Sequence, residues 1–205
     1  IHFIVDRHTF FEVLFMFRYV GALFVAALLS YLLTPFAIML AKKFNVYDIP
    51  RERRVHKVPT PLLGGLAISV SFLVTTLAFG LIDRSVFGLF AGGILILVVG
   101  IIDDVVELKP SVKLLGQIAA AVVLVMSGIR AEFITNPFTK QMVFIGNWSI
   151  PITIIWVVAF TNIVNFMDGL DGLAAGVSAI AATTIALVAV DKGNMSTAVM
   201  SFALA

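Results

Sequence analysis

Apolar runs long enough to cross a bilayer follow one another from Tyr19 to the end of the chain, and this constrains the fold more than anything else. About 20 such residues span the hydrocarbon core as a helix. The runs are Tyr19–Ala41, Val58–Ile82, Ser85–Ile102, Leu114–Ile129, the later part of Gln141–Met167, and Gly172–Val190. The fourth is short, and the Lys113 stem can snorkel to extend it. A seventh run starts near Asn194. The runs are continuous rather than alternating, which argues against a β-barrel. The expected fold is therefore all-α, a polytopic transmembrane helical bundle of six complete spans and a cut seventh. Residues 1–205 form a single membrane domain, and the chain reads as a fragment of a longer protein because it opens on Ile1 and closes inside an apolar run.

Composition agrees. Charged residues make up 13% and hydrophobic residues 60%, and the mean hydropathy is +1.08. Soluble domains carry roughly a quarter charged residues, so this chain cannot cover a water-facing surface. It has no cysteine, which excludes disulfides and thiolate chemistry. Neither a basic tail nor a low-complexity tract suggests nucleic acid as a partner.

Lys and Arg set the orientation. The loop after the first run holds Lys42, Lys43, Arg51, Arg53, Arg54 and Lys57, and the next loop on that side holds Lys109 and Lys113. That side should be cytoplasmic, with the N-terminus outside, in the inner (cytoplasmic) membrane. Loops 42–60, 103–113 and 167–172 then share the cytoplasmic face. Residues 131–149 lie outside, where Val143–Trp148 is expected to form a small hairpin turning at Gly146-Asn147.

Three polar constellations fall on the cytoplasmic side. Asp103-Asp104 closes an apolar run. Adjacent carboxylates repel, and a cation or a lysine would relieve them; Mg²⁺ held by one or two carboxylates plus substrate phosphates is a common arrangement. The plain alternative is a solvated helix end. Asn162, Asn165, Asp168 and Asp171 recur at every third position, so the first three share a helix face. An ionisable group in a span is costly and usually functional; the competing use is hydrogen bonding between helices. The third constellation runs from Asp48 through Pro50, Arg53, Arg54, His56 and Lys57 to Gly64-Gly65. Its Arg and Lys suit phosphate, though a positive-inside anchor would look the same.

Taken in order, these segments resemble the polyprenyl-phosphate N-acetylhexosamine-1-phosphate transferases, the glycosyltransferase family 4 type. Asp48-x-Pro50-x-x-Arg53-x-x-His56 is similar to that family's first cytoplasmic loop. Gly100-Ile101-Ile102-Asp103-Asp104 followed by Lys113-x-x-x-Gln117 is similar to its aspartate-pair segment. Asn162-x-x-Asn165-x-x-Asp168-Gly169-x-Asp171-Gly172-Leu173 is similar to its signature. A later G-D-x-G segment and a His-rich loop of the family do not occur within these residues. Glu107 and Leu62 favour the branch that uses undecaprenyl phosphate and GlcNAc-1-phosphate.

The resemblance implies transfer of an N-acetylhexosamine-1-phosphate, GlcNAc-1-phosphate in that branch, from a UDP-sugar to polyprenyl (undecaprenyl) phosphate. UMP is released, as the first membrane step of cell-envelope polysaccharide synthesis. It implies Mg²⁺ (or Mn²⁺) as cofactor, with Asp103, Asp104 and Asp168 as metal ligands. Asp103 and Asp104 are the catalytic pair, with their roles unapportioned. His56, Lys57, Lys113, Asn165, Asp168 and Asp171 contact substrate. The partners implied are a UDP-N-acetylhexosamine, a polyprenyl phosphate lipid, the membrane and a second copy in a homodimer. A phospho-N-acetylmuramoyl-pentapeptide transferase of the same superfamily is the nearest alternative. A cation-coupled transporter is the alternative from another class, although its carboxylates would usually sit near the bilayer midplane.

Overall fold

The computed structural model describes residues 7–48, 59–79, 83–168, 170 and 172–205. Seven α-helices follow in the order of the seven apolar runs: α1 Arg7–Lys43, α2 Gly64–Phe79, α3 Arg84–Val106, α4 Pro110–Met126, α5 Ser149–Met167, α6 Leu173–Asp191 and α7 Met195–Leu204. Stretches of four helices meet the length and hydropathy of a membrane span: Met16–Lys43, Arg84–Val106, Gly146–Met167 and Leu173–Asp191. The described parts of α2, α4 and α7 are shorter apolar helices.

Burial runs opposite to that of a water-soluble bundle. The innermost positions are small, with Ala22, Ala41, Ala120, Ala121, Ala186 and Ala198 all fully enclosed. Large apolar side chains such as Phe17, Phe24, Tyr31, Phe36, Phe160 and Ile180 point outward. In lipid no hydrophobic force drives helices together, so small residues that let backbones approach sit inside, and bulky ones face the tails. This makes the chain a multi-span membrane protein.

The helices group into two compact units, one covering 1–49, 58–82 and 175–205 and the other 50–57 and 83–174. In the first unit α1 packs on α2 and α7, and α2 on α7. Asn45 turns the chain off α1 in the left-handed region, at φ 54°. Asn is one of the few side chains that tolerate it, through local hydrogen bonding. Two short strands, β1 Tyr47–Asp48 and β2 Thr60–Pro61, then pair antiparallel. They close the base of the 42–60 loop, and α2 begins at Gly64, inside the Val58–Ile82 run.

In the second unit α3 and α4 form an antiparallel hairpin, and α5 also packs on α4. The α3–α4 seam is built on glycine. A Cβ at Gly88 would overlap Ser127, one at Gly92 would lie 3.2 Å from the Ala120 carbonyl oxygen, and one at Gly116 would press on Val99. Gly93 and Gly100, equally eligible by sequence, meet nothing.

Between α4 and α5 lies a β-hairpin, but not where Gly146-Asn147 pointed. Strand β3 Phe133–Thr135 pairs with β4 Met142–Phe144, and Gly146–Trp148 is a single 3-10 turn leading into α5. The turn that closes the hairpin is made by Asn136-Pro137. The Asn136 Oδ1 accepts from Phe138 N at 2.9 Å and Thr139 N at 3.2 Å. This is an Asx turn, a stronger local device than a Gly-Asn pair with no strand on its far side.

Candidate active site

The candidate site is assembled at one end of the second unit, where α3 ends, α4 begins and α5 ends. Helix α3 terminates because Glu107 adopts left-handed backbone, φ 48°, and its N–H returns to the Asp103 carbonyl at 2.9 Å. Leu108 and Lys109 complete the corner, and Pro110 opens α4 at a position where its missing N–H costs nothing.

Asp103 holds this corner together. Its Oδ1 accepts from Leu108 N at 3.1 Å, and its Oδ2 accepts from Lys113 Nζ at 2.8 Å. Both oxygens are therefore engaged, one with the connecting loop and one with the first turn of α4. The ion pair is half-buried, with side-chain exposures of 25% and 24%, so it is screened less than a surface pair.

Asp104 is different. Among the described residues it has no hydrogen bond or ion pair, and it is exposed. Asp103, Lys113 and Asp168 all act on it electrostatically. Thus the structure brings Asp104, from the end of α3, within the field of Asp168, from the end of α5. Asp168 is the C-cap of α5, and its own N–H bonds to the Val164 carbonyl. Its side chain is also exposed and unpaired among the described residues.

All three carboxylates sit at helix C-termini, the negative end of the macrodipole, where an acid is disfavoured and a cation favoured by about 0.3–1 kcal/mol each. Lys113 offsets one charge. The charges of Asp104 and Asp168 are left without an ion-pair partner among the described residues.

The polar stripe on α5 divides in two. Asn162 turns toward α4: its Nδ2 donates to Gln117 Oε1 at 2.7 Å and to the Val158 carbonyl at 2.8 Å, and Gln117 Nε2 donates back at 3.5 Å. Gln117 is buried, at 3% exposure. For Asn162, then, hydrogen bonding between helices is the observed use. Asn165, one turn further, is exposed beside Asp168. Gln117 lies one turn along α4 from Lys113, so the amide pair ties α4 to α5 close to the corner where Asp103 and Lys113 meet. Spacing alone marked Asn162; only its partner on another helix revealed the amide pair.

The remaining predicted contacts, His56, Lys57 and Asp171, lie outside the described residues. Asp103, Asp104 and Asp168 were expected to bind one metal together. Among the described residues no group of three or more acidic, His or Cys side chains stands close enough to hold an ion, in keeping with the engagement of Asp103 by Lys113.

The described bundle thus carries two carboxylates without a partner among the described residues, Asp104 and Asp168, at the helix ends that also hold the Asp103–Lys113 pair. Residues 86–205 match the model of the family described as Glycosyl transferase family 4, and the chain belongs to that family. It is 36% identical over 181 residues to a protein of Bacillus subtilis (strain 168) named a probable undecaprenyl-phosphate N-acetylglucosaminyl 1-phosphate transferase, covering 88% of this chain and 51% of that protein. It is 36% identical over 177 residues to the decaprenyl-phosphate N-acetylglucosaminephosphotransferase of Mycolicibacterium smegmatis, covering 80% and 43%. A phospho-N-acetylmuramoyl-pentapeptide-transferase of Caldanaerobacter subterraneus is 33% identical over 164 residues, covering 75% and 52%. The chain spans about half the length of these curated relatives.

Proposed function

We propose that the protein to which this chain belongs transfers GlcNAc-1-phosphate from UDP-GlcNAc to a polyprenyl phosphate, undecaprenyl phosphate in the nearest reading, at the cytoplasmic face of the inner membrane. The observation that carries the reading is the unpaired Asp104–Asp168 couple beside the Asp103–Lys113 ion pair, at negative helix ends. The names of the relatives support a polyprenyl phosphate acceptor and an N-acetylglucosamine donor. The pentapeptide-transferase relatives align at lower identity, 29–33%, and make UDP-N-acetylmuramoyl-pentapeptide the second donor to test.

In this reaction an oxygen of the lipid phosphate attacks the β-phosphorus of the UDP-sugar. The bond from that phosphorus to the bridging oxygen breaks, and UMP departs with the oxygen and its electron pair. A phosphate monoester has its second pKa near 6, so the attacking lipid is largely dianionic at pH 7 and needs no strong base. The demand on the protein is to position and neutralise several negative phosphates.

Asp104 and Asp168 fit a divalent cation. They are hard oxygen donors, two in number, unpaired among the described residues, and Mg²⁺ takes one or two carboxylates and completes its shell with phosphate and water. When bound, Mg²⁺ (or Mn²⁺) supplies charge neutralisation at the diphosphate. Asp103 fixes the corner and Lys113 rather than serving as a ligand. Lys113 stands ready as a second positive group near the phosphates. Asn165 lies on the same side as Asp168 and can donate to the nucleotide or sugar, and His56, Lys57 and Asp171 complete the substrate contacts. In the first unit, a groove of about 550 Å³ lined by Leu33, Phe36, Leu40 and Val70 ends at Lys42 and Lys43. Its chemistry suits an isoprenoid chain with an anionic head.

The test is UMP release by the full-length protein in lipid, with polyprenyl phosphate, Mg²⁺ and either UDP-GlcNAc or UDP-N-acetylmuramoyl-pentapeptide. Metal-dependent release with UDP-GlcNAc, lost in Asp104→Asn, is expected. Turnover unchanged by that substitution would refute the site, and turnover only with the pentapeptide donor would refute the substrate.

A further inference from the structure

The β3–β4 hairpin exposes more large apolar surface than any water-facing loop needs. Phe138 at its tip is 93% exposed, and Phe133, Met142, Val143, Phe144 and Trp148 are open as well. Facing residues of paired strands share a side of the ribbon. Phe133, Phe144, Thr135 and Met142 therefore make one face and Ile134 and Val143 the other. The Phe133 and Phe144 rings meet at 5.4 Å. Both faces are apolar, and an isolated two-stranded hairpin is at best marginally stable in water.

Its location is constrained from both ends. Strand β4 ends at Phe144 and the candidate span Gly146–Met167 begins at Gly146. At the other end the Ala131 N–H donates to Thr153 Oγ1 on α5 at 2.9 Å, and Ile145 N donates to the Glu132 carbonyl at 3.0 Å. The base of the hairpin is thus tied to the first turns of a membrane span. Three-residue strands reach about 10 Å at ~3.3 Å per residue, and the headgroup layer is roughly 5–8 Å thick on each side of the core. A hairpin rooted at that boundary cannot leave the neighbourhood of the headgroups. Trp148 stands at the root, where interfacial tryptophan is enriched.

The charges fit the same layer. Arg130 pairs with Glu132 at 3.2 Å, whereas Lys140, in the hairpin turn at φ 58°, bonds through its backbone N–H to the Asn136 carbonyl at 2.9 Å and its ammonium forms no ion pair among the described residues. A lysine beside an exposed phenylalanine matches an anionic phosphate above acyl chain.

We propose that the β3–β4 hairpin is a membrane-interface anchor. It occupies the headgroup layer at the end of α4 and α5 opposite the carboxylates, with Phe138 directed to the acyl boundary and Lys140 to anionic phospholipid. The reading does not depend on the transferase reaction.

The chain has no cysteine, so Phe138→Cys provides a single site for a nitroxide label. The labelled protein, with any cysteines of the full-length chain replaced, is reconstituted in vesicles of phosphatidylcholine with and without phosphatidylglycerol. Ile155→Cys, exposed on α5, serves as the lipid-facing reference. The expected result is high collision with oxygen and low collision with a water-soluble nickel chelate at Phe138→Cys, at a depth shallower than Ile155→Cys. Lys140→Glu should move the label toward water only in vesicles that contain phosphatidylglycerol. High chelate collision at Phe138→Cys would place the tip in water and overturn the proposal. Low collision with both reagents and an immobilised spectrum would mean that protein covers the hairpin, and would also overturn it. No response to Lys140→Glu in either vesicle would remove the anionic-lipid contact.

Discussion

Helix α4 makes two seams, and they are built on opposite principles. Against α3 it packs through glycine: Gly88, Gly92 and Gly116 leave room for Ser127, Leu124 and Val99. This seam ends at the corner in the satisfied Asp103–Lys113 pair. Against α5 its polar contact is the reciprocal amide pair of Gln117 and Asn162. The acidic end here is left open, with Asp104 and Asp168 unpaired among the described residues. Two adjacent aspartates thus have different surroundings: both oxygens of Asp103 are engaged, and under the proposed function the unengaged Asp104 is the one available for chemistry.

The sharpest way to break that distinction is to compare the two aspartates. In the full-length protein Asp104→Asn should lower the UMP-release rate by on the order of 100- to 1,000-fold, the scale of losing one electrostatic group in a transition state. Its thermal midpoint in detergent should barely move. Asp103→Asn keeps the acceptor for Leu108 N but loses the ion pair. It should cost about 10- to 100-fold, as second-layer partners do, and Lys113→Met should cost at least as much, because it breaks the same pair and also removes a positive group from beside the phosphates. Equal losses at Asp103 and Asp104 with no change in stability would erase the difference between them.

The glycine seam is probed next. Gly88→Val should destabilise the second unit by about 1–3 kcal/mol, the usual cost of overpacking, read as a lower thermal midpoint. Ser127→Gly in the same chain should recover part of it. Failure of the rescue would mean that α3 and α4 do not meet at these residues.

The amide seam carries the smallest effect. Asn162→Leu should cost about 0.6 kcal/mol, the average for a hydrogen bond between membrane helices. Gln117→Leu should cost less, because the Asn162 amide keeps the Val158 carbonyl, whereas Asn162→Leu leaves the buried Gln117 amide without its partner. The double substitution should lie near the milder single change, and strict additivity would show that the two side chains do not interact.

Much of this molecule was legible in its residues. Runs of about 20 apolar residues have few alternatives to a spanning helix, since backbone polar groups find no other partner in lipid. The order of seven helices and the end of α5 beside Asp168 follow from that. Asp103-Asp104 and Asp168 stood out because a carboxylate at a span end is costly without a task. The hairpin was misplaced because Gly-Asn is a local signal. Which local signal wins depends on where a pairing strand lies, and Asn136-Pro137 had one on both sides.

What the sequence by itself determined is therefore the class of fold and the set of unusual polar groups, because both follow from the free energy of single residues in lipid. What only the tertiary structure decided is which polar groups meet. For Asn162, whose place in the polar stripe left interhelical hydrogen bonding open, the choice was made by Gln117 opposite it. Asp103 and Asp104, identical in chemistry and adjacent in sequence, parted when Lys113 reached one of them. Hydrogen bonds and ion pairs act over a few ångströms between residues far apart in sequence, so their partners are set by how α3, α4 and α5 pack rather than by the spacing of residues along the chain.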